Sequence, residues 1–202
     1  MAARIVSRLN PKTSALLLCD MQEKFRPMVQ YFGPIVTVSN RMLRAARLLN
    51  IPVVATEQYP KGLGPTVPEL GLKEHEVPVF TKTCFSMMSD QVQDYLKQSM
   101  PAAKSILLCG IETQACIFQT TMDLLERGYD VHLVVDAVSS RTQVDRMFAF
   151  RQLEKAGAYL TTSECAMFAL LRDAAHPKFK DIQKLITDPA PDSGLLLLNL
   201  HK

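Results

Sequence analysis

Short apolar runs rich in Leu and Val recur along the chain, separated by longer stretches of helical periodicity, and this alternation constrains the fold more than any other feature. Strands separated in this way pair in parallel, because a parallel neighbour requires a crossover long enough to hold a helix. Six runs qualify: Ala15 to Cys19, Val53 to Thr56, Val77 to Thr81, Ser105 to Cys109, Val131 to Asp136 and Tyr159 to Thr162. Most lack polar alternation, which predicts strands covered by helices on both faces. Neither a repeat nor a linker interrupts the pattern, so residues 1–202 are expected to form a single α/β domain of three layers, α/β/α.

The intervening stretches carry helix signals. Ile35, Val38, Met42, Ala45 and Leu49 recur every three or four residues behind Gly33-Pro34, and Asn50 and Pro52 end the segment. Ser89 to Met100 and Thr113 to Arg127 read likewise, the second stopped by Gly128. Ser140 with Gln143 reads as a capping box for a helix reaching Ala156, and shorter helices are predicted near Glu164 to Arg172 and Pro177 to Thr187. The longest irregular stretch, Gln58 to Glu76, holds Pro60, Gly62, Gly64, Pro65, Pro68 and Gly71, and a loop of that length in a compact domain is usually functional. The tail, residues 189–202, carries Leu195 to Leu198 and Leu200, and is expected to pack on its own domain or on a second subunit.

Composition removes several function classes. The 23 basic and 20 acidic residues are interleaved and leave a net charge of only +3, so no nucleic-acid partner is expected. No apolar run approaches the roughly 20 residues that span a bilayer, so no membrane partner is expected either. Five cysteines without a CxxC pair read as free thiols in a reducing, cytoplasmic setting. The opening MAARIVSRLNPKTSA has three basic residues and no acid before Asp20, which leaves mitochondrion and nucleus open.

In an open parallel sheet the chemistry gathers beyond the carboxyl ends of the strands. The first strand ends in Cys19-Asp20-Met21-Gln22, which places a carboxylate at a strand tip; a turn or helix-capping aspartate would look the same. Lys82 follows the third strand, where a solvated lysine is the plain alternative. The fourth leads into Gly110-Ile111-Glu112-Thr113-Gln114-Ala115-Cys116, in which Gly110 permits a tight turn and Cys116 falls in the first turn of a helix. Unpaired N–H groups and the helix dipole stabilise a thiolate there, and can lower a cysteine pKa from about 8.5 to between about 3.5 and 7.5. The same amides can receive the oxyanion formed when that thiolate attacks a carbonyl. Cys19 and Cys109 lie inside strands and read as packing residues.

LLLCDMQ, VFTKTCF and GIETQACI, each at the end of its own strand, resemble the isochorismatase-like family, which includes nicotinamidases and N-carbamoylsarcosine amidohydrolases. The resemblance runs over residues 14–163 and implies a six-stranded parallel sheet in the order 3-2-1-4-5-6 and a homo-oligomer. It also implies a catalytic triad: Asp20 takes the proton of Cys116, Lys82 keeps Asp20 ionised, and Cys116 forms a thioester with a small-molecule substrate. A cis peptide at Ile111-Glu112, common at this place in the family, would aim the Glu112 and Cys116 amides at the oxyanion.

Nicotinamidases bind a divalent metal through an Asp and His cluster after the second strand. Here that loop reads TEQYPKGLG, and His75, His132, His176 and His201 are scattered, so neither metal nor cofactor is expected. Isochorismate-cleaving members work without the cysteine, so Cys116 ranks an isochorismatase proper last. The expected activity is metal-independent hydrolysis of a small amide or related C–N bond; the rival from another class is a scaffold acting through a protein partner. Gln22, Glu57, Gln58, Tyr59 and Leu63 are expected to line the substrate pocket, with Phe85 as a wall beside Met87 and Met88. Thr113 and Gln114 read as helix caps and Asp136 as structural.

Overall fold

Leu16, Leu17 and Leu18 are consecutive and all buried, which only a strand covered on both faces allows. They belong to β1 (Ser14–Cys19), next to β2 (Val53–Gln58) and β4 (Ser105–Ile111). The computed structural model describes residues 7–195. With β3 (Val79–Lys82), β5 (Asp130–Ser139) and β6 (Tyr159–Thr161), the strands form one parallel sheet in the order β3-β2-β1-β4-β5-β6. The order reverses between β1 and β4, which opens a crevice at their carboxyl ends.

Strand alternation sorts the core. Leu16 and Leu18 face a layer built from α1 (Phe32–Leu48), α6 (Ser163–Leu171) and α7 (Phe179–Leu185). Ala15, Leu17 and Cys19 face the other layer, α3 (Asp90–Ser99), α4 (Phe118–Glu126) and α5 (Gln143–Ala156). No helix among the described residues is long and apolar enough to cross a membrane.

Several boundaries differ from the sequence expectation. β3 begins two residues late, at Val79, because Val77 packs into the core before pairing starts. Gly110 lies within β4 rather than in a turn: at φ +144, a Cβ there would sit 2.4 Å from the Cys19 carbonyl oxygen. That residue is glycine because β1 and β4 approach too closely for a side chain. The helix expected from Thr113 divides into a wide π turn, Thr113–Ile117, and α4. The cap of α5 is Thr142, whose hydroxyl accepts from the Asp145 amide at 3.1 Å, and not Ser140, which is buried upstream. The long stretch after β2 is largely ordered by α2 (Pro60–Leu63), a 3-10 turn at Pro68–Leu70 and a bridge between Gln22 and Thr66.

The described part of the tail lies on its own domain. Arg146, fully buried, donates to the carbonyls of Ser193 and Val135, Arg41 donates to those of Asp188 and Pro189, and Leu195 joins the core beneath. Leu196 to Leu198 and Leu200 lie outside the described residues.

Gly110→Ala is expected to lower unfolding free energy by about 2 kcal/mol or more, since its methyl meets backbone that cannot step aside. Urea titration measures this, and an unchanged midpoint would contradict the close approach.

Candidate active site

Asp20 is the first residue beyond β1, and its left-handed backbone, φ 54, breaks the alternation that would send its side chain away from that of Cys19. Only about 1% of its surface is exposed. Oδ1 accepts from the Thr56 hydroxyl at 2.7 Å; Oδ2 accepts from Lys82 Nζ at 2.6 Å and from the Cys19 thiol at 3.4 Å. The strand register explains the first contact, since Cys19 pairs with Thr56 across β1 and β2.

Lys82 closes β3, on the edge of the sheet, and reaches across the tip of β2 to Asp20. The two side chains are each 1% exposed. Nζ also donates to Gln58 Oε1 at 2.8 Å and to the carbonyls of Phe85 at 2.9 Å and Cys84 at 3.2 Å, so every ammonium hydrogen has an acceptor. Burial opposes charging this amine, but the attraction of Cys19, Asp20 and Cys116 and the hydrogen bond to Asp20 prevail and raise its pKa above the ordinary lysine value. It is a fixed cation at neutral pH.

Cys116 lies in the π turn after β4, 4% exposed, on the same side of the sheet as Cys19. Its carbonyl accepts from the Thr120 hydroxyl at 2.6 Å, which fixes the turn to α4. Glu112 opens the turn in a left-handed conformation, φ 59 and ψ 62, and its carbonyl accepts from the amides of Ala115 and Ile117. The cis peptide expected at Ile111-Glu112 is absent: the bond is trans, and the left-handed Glu112 makes the reversal instead. The Glu112 carboxylate pairs with Arg141 Nε at 2.7 Å and accepts from the Gln114 amide, so Gln114 braces this turn.

Most of the expected pocket lining is bonded to or packed on the protein's own groups. Gln22 is fully buried, donates to the carbonyls of Gln58 and Gly64 and accepts from the Gln58 amide, clipping the β1 tip to the loop after β2. Glu57 accepts from the Thr66 amide and hydroxyl, at 2.6 and 2.8 Å. Leu63 packs on the core. Gln58 spans Lys82 and the Thr83 carbonyl, and so positions the lysine. Tyr59 and Phe85 are 55% and 58% exposed, and Tyr59 lines a groove of about 610 Å³ with Pro60, Lys61, Thr81, Lys82 and Cys84, which Phe85 does not join. Asp136 holds the start of α6 through the Ser163 amide and hydroxyl.

Residues 14–165 match the isochorismatase domain. The chain belongs to the isochorismatase family. A relative from Xenopus laevis, "Isochorismatase domain-containing protein 2", is 57% identical over 195 residues, covering 96% of this chain and 94% of its own. Among solved structures, the Caenorhabditis elegans protein named MAR1 ribonuclease superposes with a TM-score of 0.88 at 54% identity, covering 94% of this chain and 97% of that one. YcaC from Pseudomonas aeruginosa, described with hexane-2,5-diol and covalent acrylamide, gives 0.81 at 25% identity, covering 91% and 93%.

Within this isochorismatase-family site, sequence reasoning passed over two residues that touch Asp20. Thr56 carried a usable signal: it is the polar residue that ends an apolar run, in register with the residue before the aspartate. Cys19 carried none, because its closeness to Asp20 depends on a backbone reversal at that aspartate.

Lys82→Met leaves the Asp20 carboxylate buried without its cation and is expected to cost about 3–5 kcal/mol at pH 7, with Asp20→Asn in the same chain recovering part of the loss. Folding raises the Lys82 pKa, so the contribution of Lys82 is complete below the ordinary lysine value and lost as pH climbs through the raised one. Urea midpoints of parent and variant should stay apart from pH 7 to 9 and converge only above about 10.4; convergence below pH 9 would refute the assignment.

Proposed function

We propose that this chain is a metal-independent hydrolase of a small amide or related C–N bond, with Cys116 as nucleophile, Asp20 as base and Lys82 as the fixed cation. The observation that carries this reading is the buried Asp20–Lys82 pair, at 2.6 Å, beside a cysteine in the first turn after a strand. A lysine held charged in a dry site stabilises any negative charge that forms nearby, whether on the Cys116 sulfur or on an attacked carbonyl. Cys116 loses its proton toward Asp20 and attacks the carbonyl carbon. The resulting oxyanion is received by the Glu112 and Cys116 amides. The C–N bond then breaks, the amine departs with the proton held by Asp20, and water cleaves the thioester to regenerate the thiol. Covalent acrylamide in the YcaC structure is consistent with a family site that accepts a small amide-bearing electrophile.

A second reading follows from the name of the Caenorhabditis elegans structure and from one feature of this chain. Arg44, Arg47, Lys178 and Lys184 line a groove of about 560 Å³, a basic surface of the kind phosphodiesters favour. That groove also contains Asn50, just before β2, and His75, just before β3, so it lies at the amino ends of the strands while Cys116 follows a carboxyl end. A phosphodiester held there is remote from the nucleophile, which favours acyl transfer.

Incubation with a pool of small amides, followed by intact-mass spectrometry, is expected to show an acyl adduct that maps to Cys116 and is lost in Cys116→Ala. Turnover of RNA that survives Cys116→Ala, with no adduct from any amide, would overturn the hydrolase reading in favour of the second.

A further inference from the structure

Glu112 brings a carboxylate into the turn that holds Cys116, with only 7% of that side chain exposed. Oε1 accepts from Arg141 Nε at 2.7 Å, and Oε2 accepts from the Gln114 amide, whose own buried oxygen has no partner among the described residues. Arg141 stands two residues beyond Ser139, which pairs with Ile111 where the register of β4 and β5 ends. The ion pair therefore carries the seam between these strands one step past its last backbone pairing, from the end of β5 to the first residue of the turn.

That residue needs holding. Glu112 is left-handed, φ 59 and ψ 62, a conformation that a residue with a side chain keeps only when its surroundings enforce it. Two constraints do so. Its carbonyl is fixed by the amides of Ala115 and Ile117, and its side chain by Arg141 and Gln114. Pinned at both, the Cα has little freedom left, and the peptide N–H attached to it is held in one direction. An ion pair whose arginine is 55% exposed adds little to folding stability, so its main effect falls on the orientation of that peptide unit.

We propose that Arg141, acting through the Glu112 carboxylate, is a positioning residue for the oxyanion of acyl transfer, an inference that rests on the reading of the Glu112 and Cys116 amides as its donors. Without Arg141 the carboxylate turns toward water, the left-handed turn relaxes, and the Glu112 amide leaves the place where the oxyanion forms. The charged pair assigned to the sulfur is less affected, because Asp20 and Lys82 come from the tips of β1 and β3, and β4 separates them from β5. Two reactions of one thiol are thereby separated: attack on a carbonyl builds an oxyanion, and displacement of iodide builds none.

The test compares these two reactions on the full chain at neutral pH. With p-nitrophenyl acetate, the Cys116 sulfur bonds to the acetyl carbon and p-nitrophenolate leaves; with iodoacetamide, it bonds to the methylene carbon and iodide leaves. Acetylation is read as p-nitrophenolate released above that of Cys116→Ala, and alkylation by mass spectrometry of the peptide containing Cys116. Arg141→Gln is expected to slow acetylation roughly tenfold, a part of the about 10²–10³ lost when such a donor is removed outright, and to leave alkylation within about twofold. Glu112→Ala should do the same, and the double variant should be no slower than Glu112→Ala, since the two side chains act as a unit. Arg141→Lys, which keeps a cation, should recover part of the rate. Equal acetylation in parent and Arg141→Gln overturns the proposal, and so does an equal fall in both reactions, which would make the pair a prop of the fold alone. Should Arg141→Gln fail to fold, Glu112→Ala is judged by the same comparison. A parent chain that is alkylated at Cys116 but releases no more p-nitrophenolate than Cys116→Ala fails the acyl-transfer reading itself, and the proposal with it.

Discussion

The pairing of Lys82 with Asp20 is the constraint on which the site depends. Both side chains are withdrawn from water, and a charge in that position persists only when it is paired and its remaining hydrogen-bonding capacity is filled. The demand spreads outward. Lys82 has two hydrogens besides the one given to Asp20 and shares them among Gln58 and the carbonyls of Cys84 and Phe85, so one cation fixes both the loop after β3 and the side chain that ends β2. Because β3 is an edge strand, the ion pair also ties that edge to the centre of the sheet.

The same economy governs Asp20. Its two oxygens are met by a lysine, a threonine hydroxyl and a thiol, each brought from a different element or from a local reversal of the backbone. Such a carboxylate is held in one orientation, with acceptor capacity left for one more donor.

The fold was legible because its signal is periodic: six apolar runs separated by helical stretches leave few arrangements for a parallel sheet. Asp20, Lys82 and Cys116 stood out in the sequence because each is the polar or reactive residue that follows such a run, and strand tips converge where the chain order reverses. The rim was not legible. Gln22 and Glu57 look in sequence like polar lining, but a long loop full of glycine and proline exposes amides and carbonyls that have no strand partner, and these side chains satisfy them. Gly110 and Cys19 escaped because the role of the first lies in the approach of two strands far apart in sequence and the contact of the second in a local backbone reversal at Asp20, and neither residue type shows that on its own.

The rim that remains determines what can reach the sulfur. With Gln22, Glu57 and Gln58 committed to the protein's own groups, and the Lys82 ammonium satisfied by four oxygens, the exposed cation along this groove is Lys61. An entering molecule also meets the exposed face of Tyr59 and the backbone around Pro60 and Thr83. Cys116 itself, at 4% exposure, admits only a slender group. In the proposed reaction, the negative charge that develops during attack forms beside the same buried lysine that pairs with Asp20, whose charge is already fixed before any substrate arrives.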